Sequence, residues 1–492
     1  MKRTCNTKIR LLFCASLIFC CIGCKDSISD IPETGTTSVL DAAGLESESE
    51  SRLENAYPAP ELEAMNYGGI DYTGIVQKTD TQNVLFCEID TESMNGDTVN
   101  DAIFLRNSIL EEKYNIHIHA VEQDFRVFSS AVRAGDDAYQ FSTPSVITAF
   151  NWAVDGLTLN LTEIPHLQFD MPWWNQNAIT EGSILNKSYF AVGAMNLLAY
   201  EATGVLFFNK ELIKAYDLKS PYDMVLDGTW TFDNMMTLGR SIAGDVDGDG
   251  DYDENDRYGI ALNSYGALTF SYGAGANFAP KNEQDIPSVI ITENFITFFQ
   301  KFVSTVSEDT SVMYGERFGD QRVTVMQSAF EEGRLLFYNE MLNRTTILRN
   351  LDLDYGILPM PKADEFQNGY QVFTHQGNSS TMVLPVTSAD YDRDGRIMED
   401  MAYYSLINVR PAYVDTAIKT KYLRDESSAQ MVDIIIDSMH FDISLLSNLA
   451  LVNDLRSYLT NGNENIASAF ASKAAQYEKA LQKTVEKIAE RE

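Results

Sequence analysis

Two rhythms of apolar and polar residues run along this chain, one of period two and one near 3.6, and the changes between them mark its elements. Val84-Leu85-Phe86-Cys87-Glu88-Ile89 is mostly apolar and reads as a buried strand. A helix is predicted from about Thr98, with Ile103, Ile109, Leu110 and Tyr114 on its inner side, and Ile116, Ile118 and Ala120 alternate as a second strand. Strand, helix, strand in that order predicts an α/β fold with a parallel sheet and a right-handed crossover. Ser145-Val146-Ile147-Thr148-Ala149-Phe150 reads as another buried strand. Ligands of such open sheets gather at the carboxyl ends of strands, which points to Asp90, Thr91 and residues 151–155.

Further on, Tyr189-Phe190-Ala191-Val192-Gly193 and Val205-Leu206-Phe207-Phe208-Asn209 read as strands, the second running into a helix from Lys210. Trp230-Thr231-Phe232-Asp233 opens a helix, with Thr231 as N-cap and Met235, Leu238 and Ile242 at helical spacing. Arg257-Tyr258-Gly259-Ile260-Ala261-Leu262 reads as a strand. Helices predominate afterwards, over 292–306, 327–333 and 398–406, and the last starts at about Asn465 with Ile466, Phe470, Tyr477, Leu481 and Ile488 on one side. There is no internal repeat.

Between the Trp230 helix and the strand from Arg257 lies Asp245-x-Asp247-x-Asp249-Gly250-Asp251-x-x-x-x-Asp256. A twelve-residue calcium loop needs side-chain oxygens at positions 1, 3 and 5, a glycine turn at 6, a backbone carbonyl at 7 and a carboxylate at 12. Asp245, Asp247, Asp249, Gly250, Asp251 and Asp256 supply them, with Asp256 standing where Glu is usual, as in the dockerin-type variant that the loop resembles. The expected cofactor is a structural Ca2+ that staples a helix end to a strand start. A second run, Asp390-x-Asp392-x-Asp394-Gly395, has Met401 at position 12 and reads instead as a turn into a helix whose start favours acids.

Length changes the picture next: 492 residues exceed what one core supports, so two lobes are the default. A formal charge of −34 argues against a nucleic-acid partner. Lys2, Arg3, Lys8 and Arg10 precede an apolar run over residues 11–22, a secretory signal too short to span a membrane. Cys21-Ile22-Gly23-Cys24 resembles the bacterial lipobox, which makes Cys24 the expected lipidated N-terminus, although Cys21 stands where Leu is usual. Five of the six cysteines fall in this segment and only Cys87 remains in the body, so no disulfide framework is expected. Residues 25–78, rich in Ser, Thr, Glu and Asp, read as a disordered acidic tether.

Taken in order, several stretches resemble the extracellular solute-binding proteins of bacterial ABC importers, most of all the maltose and oligosaccharide type (family 1). They are Val132-Arg133-Ala134-Gly135-Asp136-Asp137-Ala138-Tyr139, Leu161-Thr162-Glu163-Ile164-Pro165 leading to Pro172-Trp173-Trp174, the strand from Val205, and the Trp230 helix with its acidic loop. Gly356-Ile357-Leu358-Pro359-Met360-Pro361-Lys362 and Val409-Arg410-Pro411-Ala412-Tyr413 complete the series. The resemblance implies a type II periplasmic-binding-protein fold, two α/β lobes joined by hinge segments with a ligand cleft between them. It places the first crossing near 193–200 and the second near 354–361. The expected parts are a signal over 1–24, a tether over 25–78, a first lobe from 79–195 and 358–445, a second lobe over 196–357, and C-terminal helices over 446–492. It also implies a monomer, lipid-anchored to the outer face of the bacterial cytoplasmic membrane, that delivers a solute to permease subunits.

A sugar site needs aromatic faces for stacking beside carboxylates and amides for the hydroxyls. Trp152, just before Asp155 at an expected strand end, is the leading pair, with core packing as the alternative for Trp152. Asp90, Tyr265, Tyr338, Glu340 and His375 are the further ligand candidates, while Trp173 and Trp174 read as pinning a turn and Trp230 as a core anchor. The rival reading is a secreted carbohydrate-active hydrolase, whose paired carboxylates cannot be singled out among 71 acidic residues. His-Glu-x-x-His, Gly-x-Ser-x-Gly and a phosphate-binding Gly-Lys-Ser/Thr loop are all missing, and His117 and His119 share one face of a strand. The expectation is therefore a binding protein and not an enzyme, for a carbohydrate or, alternatively, a non-sugar solute such as a peptide.

Overall fold

The computed structural model describes residues 57–491 apart from 80–83, 85, 349–350, 415–425, 448 and 464. Cys24, the signal segment and most of the expected tether lie outside them.

Chain entry differs from the expectation. β1, Ile70–Val76, lies inside the stretch read as tether and is the central strand of a parallel sheet, paired in register with β2, Ile116–Glu122, on one side and β3, Phe141–Ser142, on the other. The acidic run upstream masks it, yet Tyr72, Ile75 and Val76 are buried. Gly74 is required within it, because a Cβ there would meet the Phe141 ring at 2.2 Å. The strand, helix, strand unit therefore exists, but it runs β1, helix Thr98–Tyr114, β2. Asp97 caps that helix by accepting from the N–H groups of Val99 and Asn100, and Ile109, expected inside, is exposed.

Phe86, Cys87, Glu88 and Ile89 do not form the expected strand. Their backbone is satisfied by a side chain instead of a ladder: the buried Arg106 guanidinium donates to the carbonyls of Glu88 and Ile89, and the Glu88 carboxylate accepts from the Leu198 N–H at 2.8 Å. Cys87 is a half-buried free thiol there. Residues 145–150 also depart from the reading, since Ser145 caps a helix, Val146–Val154, by accepting from the Thr148 N–H. Its β-branched residues favour a strand by propensity, and the cap and the tertiary packing override them.

The larger sheet has five buried strands in the order β6-β5-β7-β4-β8. They are β4, Gly204–Asn209; β5, Tyr258–Leu262; β6, Val312–Tyr314; β7, Leu335–Met341; and β8, Tyr355–Leu358. β4 is antiparallel to β7 and β8, whereas β5 is parallel to β6 and β7. Helix Phe232–Ile242, capped by Thr231 as expected, packs on β5 so closely that a Cβ on Gly259 would lie 2.5 Å from Gly239 Cα. The segment from Tyr189 to Gly193 makes only isolated bridges, Ala191 with Met382 and Gly193 with Trp174. A short parallel pair, β9 (Val372–Phe373) with β10 (Met439–His440), completes the strands.

Helices Glu293–Glu308, Arg322–Glu331, Tyr391–Tyr404 and Ile466–Ala489 cover the expected helical regions. Asp390 caps the third of these, with Asp392 and Asp394 in its first turn, so the second acidic run is a helix start. One apolar cluster fills the space around β2 and the paired indoles of Trp173 and Trp174, whose Nε1 groups both donate to Glu399 at 3.0 Å. The other surrounds the five-stranded sheet and includes Trp230, a core anchor as expected.

Candidate functional site

The ends of three strands meet at one cavity. Beyond β5, Asn263 turns the chain by accepting from the Tyr265 N–H at 2.8 Å, which leaves the Tyr265 ring 39% exposed at the head of helix Gly266–Gly273. β7 brings Asn339, Glu340 and Met341 to the same place, because its register with β4 sets Met341 opposite Gly204. The chain after β9 adds His375, whose ring centroid lies 5.0 Å from that of Tyr265. Helix Leu449–Thr460 supplies Arg456, with its guanidinium 4.2 Å from the Tyr265 centroid.

These groups line a cavity of about 340 Å³ together with Glu316, Arg322, Arg344 and Asn378. Glu340 pairs with Arg344 at 2.8 Å, and Glu316 accepts from the Ser264 N–H at 3.0 Å while lying 3.7 Å from Arg322. Asn339 is held by donating to the Val205 carbonyl at 3.1 Å and accepting from Thr269 Oγ1 at 3.0 Å. Burial, reinforced by the Arg456 charge, pushes the His375 imidazole below its ordinary value and keeps it neutral near pH 7. The result is an aromatic face rimmed by amides, carboxylates and guanidinium groups held in fixed positions, which can stack on a ring and bind its hydroxyls.

Of the residues expected at a ligand, the structure brings Tyr265, Glu340 and His375 together. Tyr338 is a correction: it is fully buried in β7 against Phe207 and Phe330, beneath the site instead of in it. Trp152 is another, because it sits in a helix, 7% exposed, stacked on Phe128 at 4.6 Å and edge-on to Phe125. Asp155 ends that helix and pairs with Arg133 at 2.7 Å, and Asp90 accepts from Asn107 and the Ala120 N–H, both at 3.3 Å. None of Trp152, Asp155 and Asp90 lines this cavity. Arg456, Glu316 and Asn378 escaped the sequence reading, since no local pattern distinguishes them from other surface residues.

No protein-family model matches the chain, and no curated protein matches it. Solved structures do. UspC of M. tuberculosis superposes with a TM-score of 0.55 at 12% identity, over 83% of this chain and 100% of its own. An ABC substrate-binding protein from Listeria monocytogenes in complex with cycloalternan gives 0.51 at 11%, over 86% and 98%. A sugar transporter from Rhizobium etli in an open conformation gives 0.52 at 11%, over 85% and 99%. The fold is that of the periplasmic solute-binding proteins. At these identities the likeness is one of fold, as the type II reading anticipated.

Within this solute-binding fold the acidic loop lies at the far end of helix Phe232–Ile242, and it does not line the cavity. Carboxylate oxygens of Asp245, Asp247 and Asp249 lie within 4.8 Å of one another. Asp245 also accepts from the N–H groups of Gly248 and Gly250, at 2.6 and 3.0 Å, and Gly250 adopts φ 93°, the left-handed turn that position 6 requires. Asp256 is fully buried and does not join the cluster; its two oxygens accept from the N–H groups of Val246 and Asp253, at 2.7 and 3.1 Å. Asp247 is held above its ordinary value: the Asp249 N–H bond lowers it, but desolvation and the charges of Asp249, Asp256 and Asp253 outweigh that bond. A divalent cation held by Asp245, Asp247 and Asp249 would relieve this repulsion, but the closing carboxylate expected at Asp256 stands outside their cluster.

Proposed function

We propose that this protein is an extracellular substrate-binding protein of an ABC importer, and that it captures a carbohydrate in the cavity beside Tyr265. The observation that carries the reading is the meeting of Tyr265, His375, Asn339 and the Glu340–Arg344 pair in one cavity at the strand ends of a solute-binding fold. A sugar ring would stack on Tyr265, its hydroxyls would bond to the amides and charged groups, and the solute would leave chemically unaltered. Hinge closure about segments 193–200 and 354–361, lipid attachment at Cys24, action as a monomer and delivery to permease subunits belong to the same proposal. The last three rest on the sequence alone. Among the described residues no helix is long and apolar enough to cross a membrane. Calcium in the Asp245 to Asp256 loop completes the proposal as a structural ion.

Titration calorimetry of the chain against mono- and oligosaccharides, with a peptide panel alongside and mass spectrometry of the sugars afterwards, tests this reading. Saccharide binding without turnover is expected. Tyr265→Ala should weaken it roughly ten-fold, as loss of a stacking face worth about 1.5 kcal/mol implies. Turnover would replace the receptor by a hydrolase, and binding of peptides alone would replace the sugar.

A further inference from the structure

Charge in the cavity is not balanced. Three arginines line it, Arg322, Arg344 and Arg456, against two glutamates, Glu316 and Glu340, with His375 neutral. Glu340 is taken by Arg344, and Glu316 faces Arg322 and the Ser264 N–H. That leaves Arg456. Among the described residues no carboxylate lies within 4 Å of it; its Nε and Nη2 both donate to Ser264 Oγ, at 3.2 and 2.9 Å, and its plane rests on Tyr265. A guanidinium has five N–H donors, and these bonds leave the Nη1 pair unused.

Solvation alone gives a poor account of this arrangement. The cation is half-buried, held by a neutral hydroxyl and an aromatic ring, and aimed by both, although the chain has 71 acidic residues from which a partner could have come. With a net charge of −34 the protein as a whole repels anions, so an anionic solute would need a local cation at the point of binding. A guanidinium oriented in advance suits a carboxylate, which it can engage through two parallel N–H donors.

Resting on the carbohydrate reading of the same cavity, we infer that the solute is an acidic saccharide, one with a uronate carboxylate, and that Arg456 is the counter-ion for that group. The sugar ring would lie on Tyr265 while its carboxylate meets the free edge of the guanidinium. His375, as a neutral imidazole, serves a hydroxyl instead of a second charge. Arg344 and Arg322 stay engaged with their glutamates.

Matched pairs of probes test this: glucose with glucuronate, galactose with galacturonate and mannose with mannuronate, as monomers and trimers, titrated into the full chain at 20 and 300 mM salt. The acidic member of at least one pair should bind ten-fold or more tightly than its neutral counterpart and weaken as salt is raised. Arg456→Gln should abolish that difference, the uronate losing more affinity than its neutral counterpart, while Arg456→Lys should restore part of it. Unliganded melting temperatures check that both variants fold, and the wild-type comparison stands without them. Neutral sugars binding as tightly as their uronates would overturn the inference and leave the sugar receptor standing. No saccharide of either kind binding would remove both.

Discussion

Replacing Glu88 by Gln removes a charge that the fold keeps in an apolar place, and the consequence depends on pH. Glu88 is 2% exposed, one oxygen accepts the Leu198 N–H, and the other has no hydrogen-bond partner. Burial raises its pKa from 4.5 to about 7, a rise that the Leu198 N–H, Ser380, Asn196 and the Arg106 charge offset only in part. A carboxyl raised in this way contributes stability that is fully present below its unfolded value and is lost as pH climbs through the folded one. The interval from 4.5 to about 7 corresponds to roughly 3 kcal/mol, most of which is lost between pH 5 and pH 8. An amide has nothing to ionise, so the stability of the wild type minus that of Glu88→Gln should fall by roughly 2 to 3 kcal/mol over that range. Glu201 and Glu399, also lifted to about 7 by burial, are common to both proteins and cancel in the difference. Urea unfolding at pH 5 and pH 8, with midpoint and slope fitted for each protein, measures it. A difference that is flat with pH, or that grows toward alkaline pH, would refute the reasoning. Because Leu198 lies in the proposed first crossing, the same titration should be followed by ligand affinity.

Trp152→Ala should cost about 3 to 5 kcal/mol of stability, as loss of a buried indole from a stacked aromatic group does, and leave saccharide affinity as it was. Weakened binding by a protein that still unfolds cooperatively would return Trp152 to the site. Thorough chelation should lower the melting temperature and leave ligand specificity unchanged. An ion present at 100 times its dissociation constant contributes about 2.7 kcal/mol, or roughly 3 °C in a chain of this size. An unchanged melting temperature in differential scanning calorimetry would remove calcium from the loop.

By itself, the sequence determined whatever is written within a single element and its caps. Helix Phe232–Ile242 behind Thr231, the last helix behind Asn465, β2 by its alternation, β5 by its apolar run and the glycine turn of the acidic loop were all legible, because period and cap chemistry act over a few residues. The order of such pieces also carried the likeness to solute-binding proteins. Tertiary structure decided which apolar face meets which partner. It drew Ile70–Val76 out of an acidic stretch into the centre of a sheet, turned residues 146–154 into a helix against their β-branched propensity, and placed Trp152 on Phe128 instead of on a ligand. It also assembled the cavity from Tyr265, Glu340, His375 and Arg456, which stand far apart along the chain. Hydrophobic periodicity reports that a side chain is buried, whereas a binding site depends on which distant segments leave a side chain uncovered. That is settled only when β5, β7, the turn after β9 and helix Leu449–Thr460 come to rest against one another.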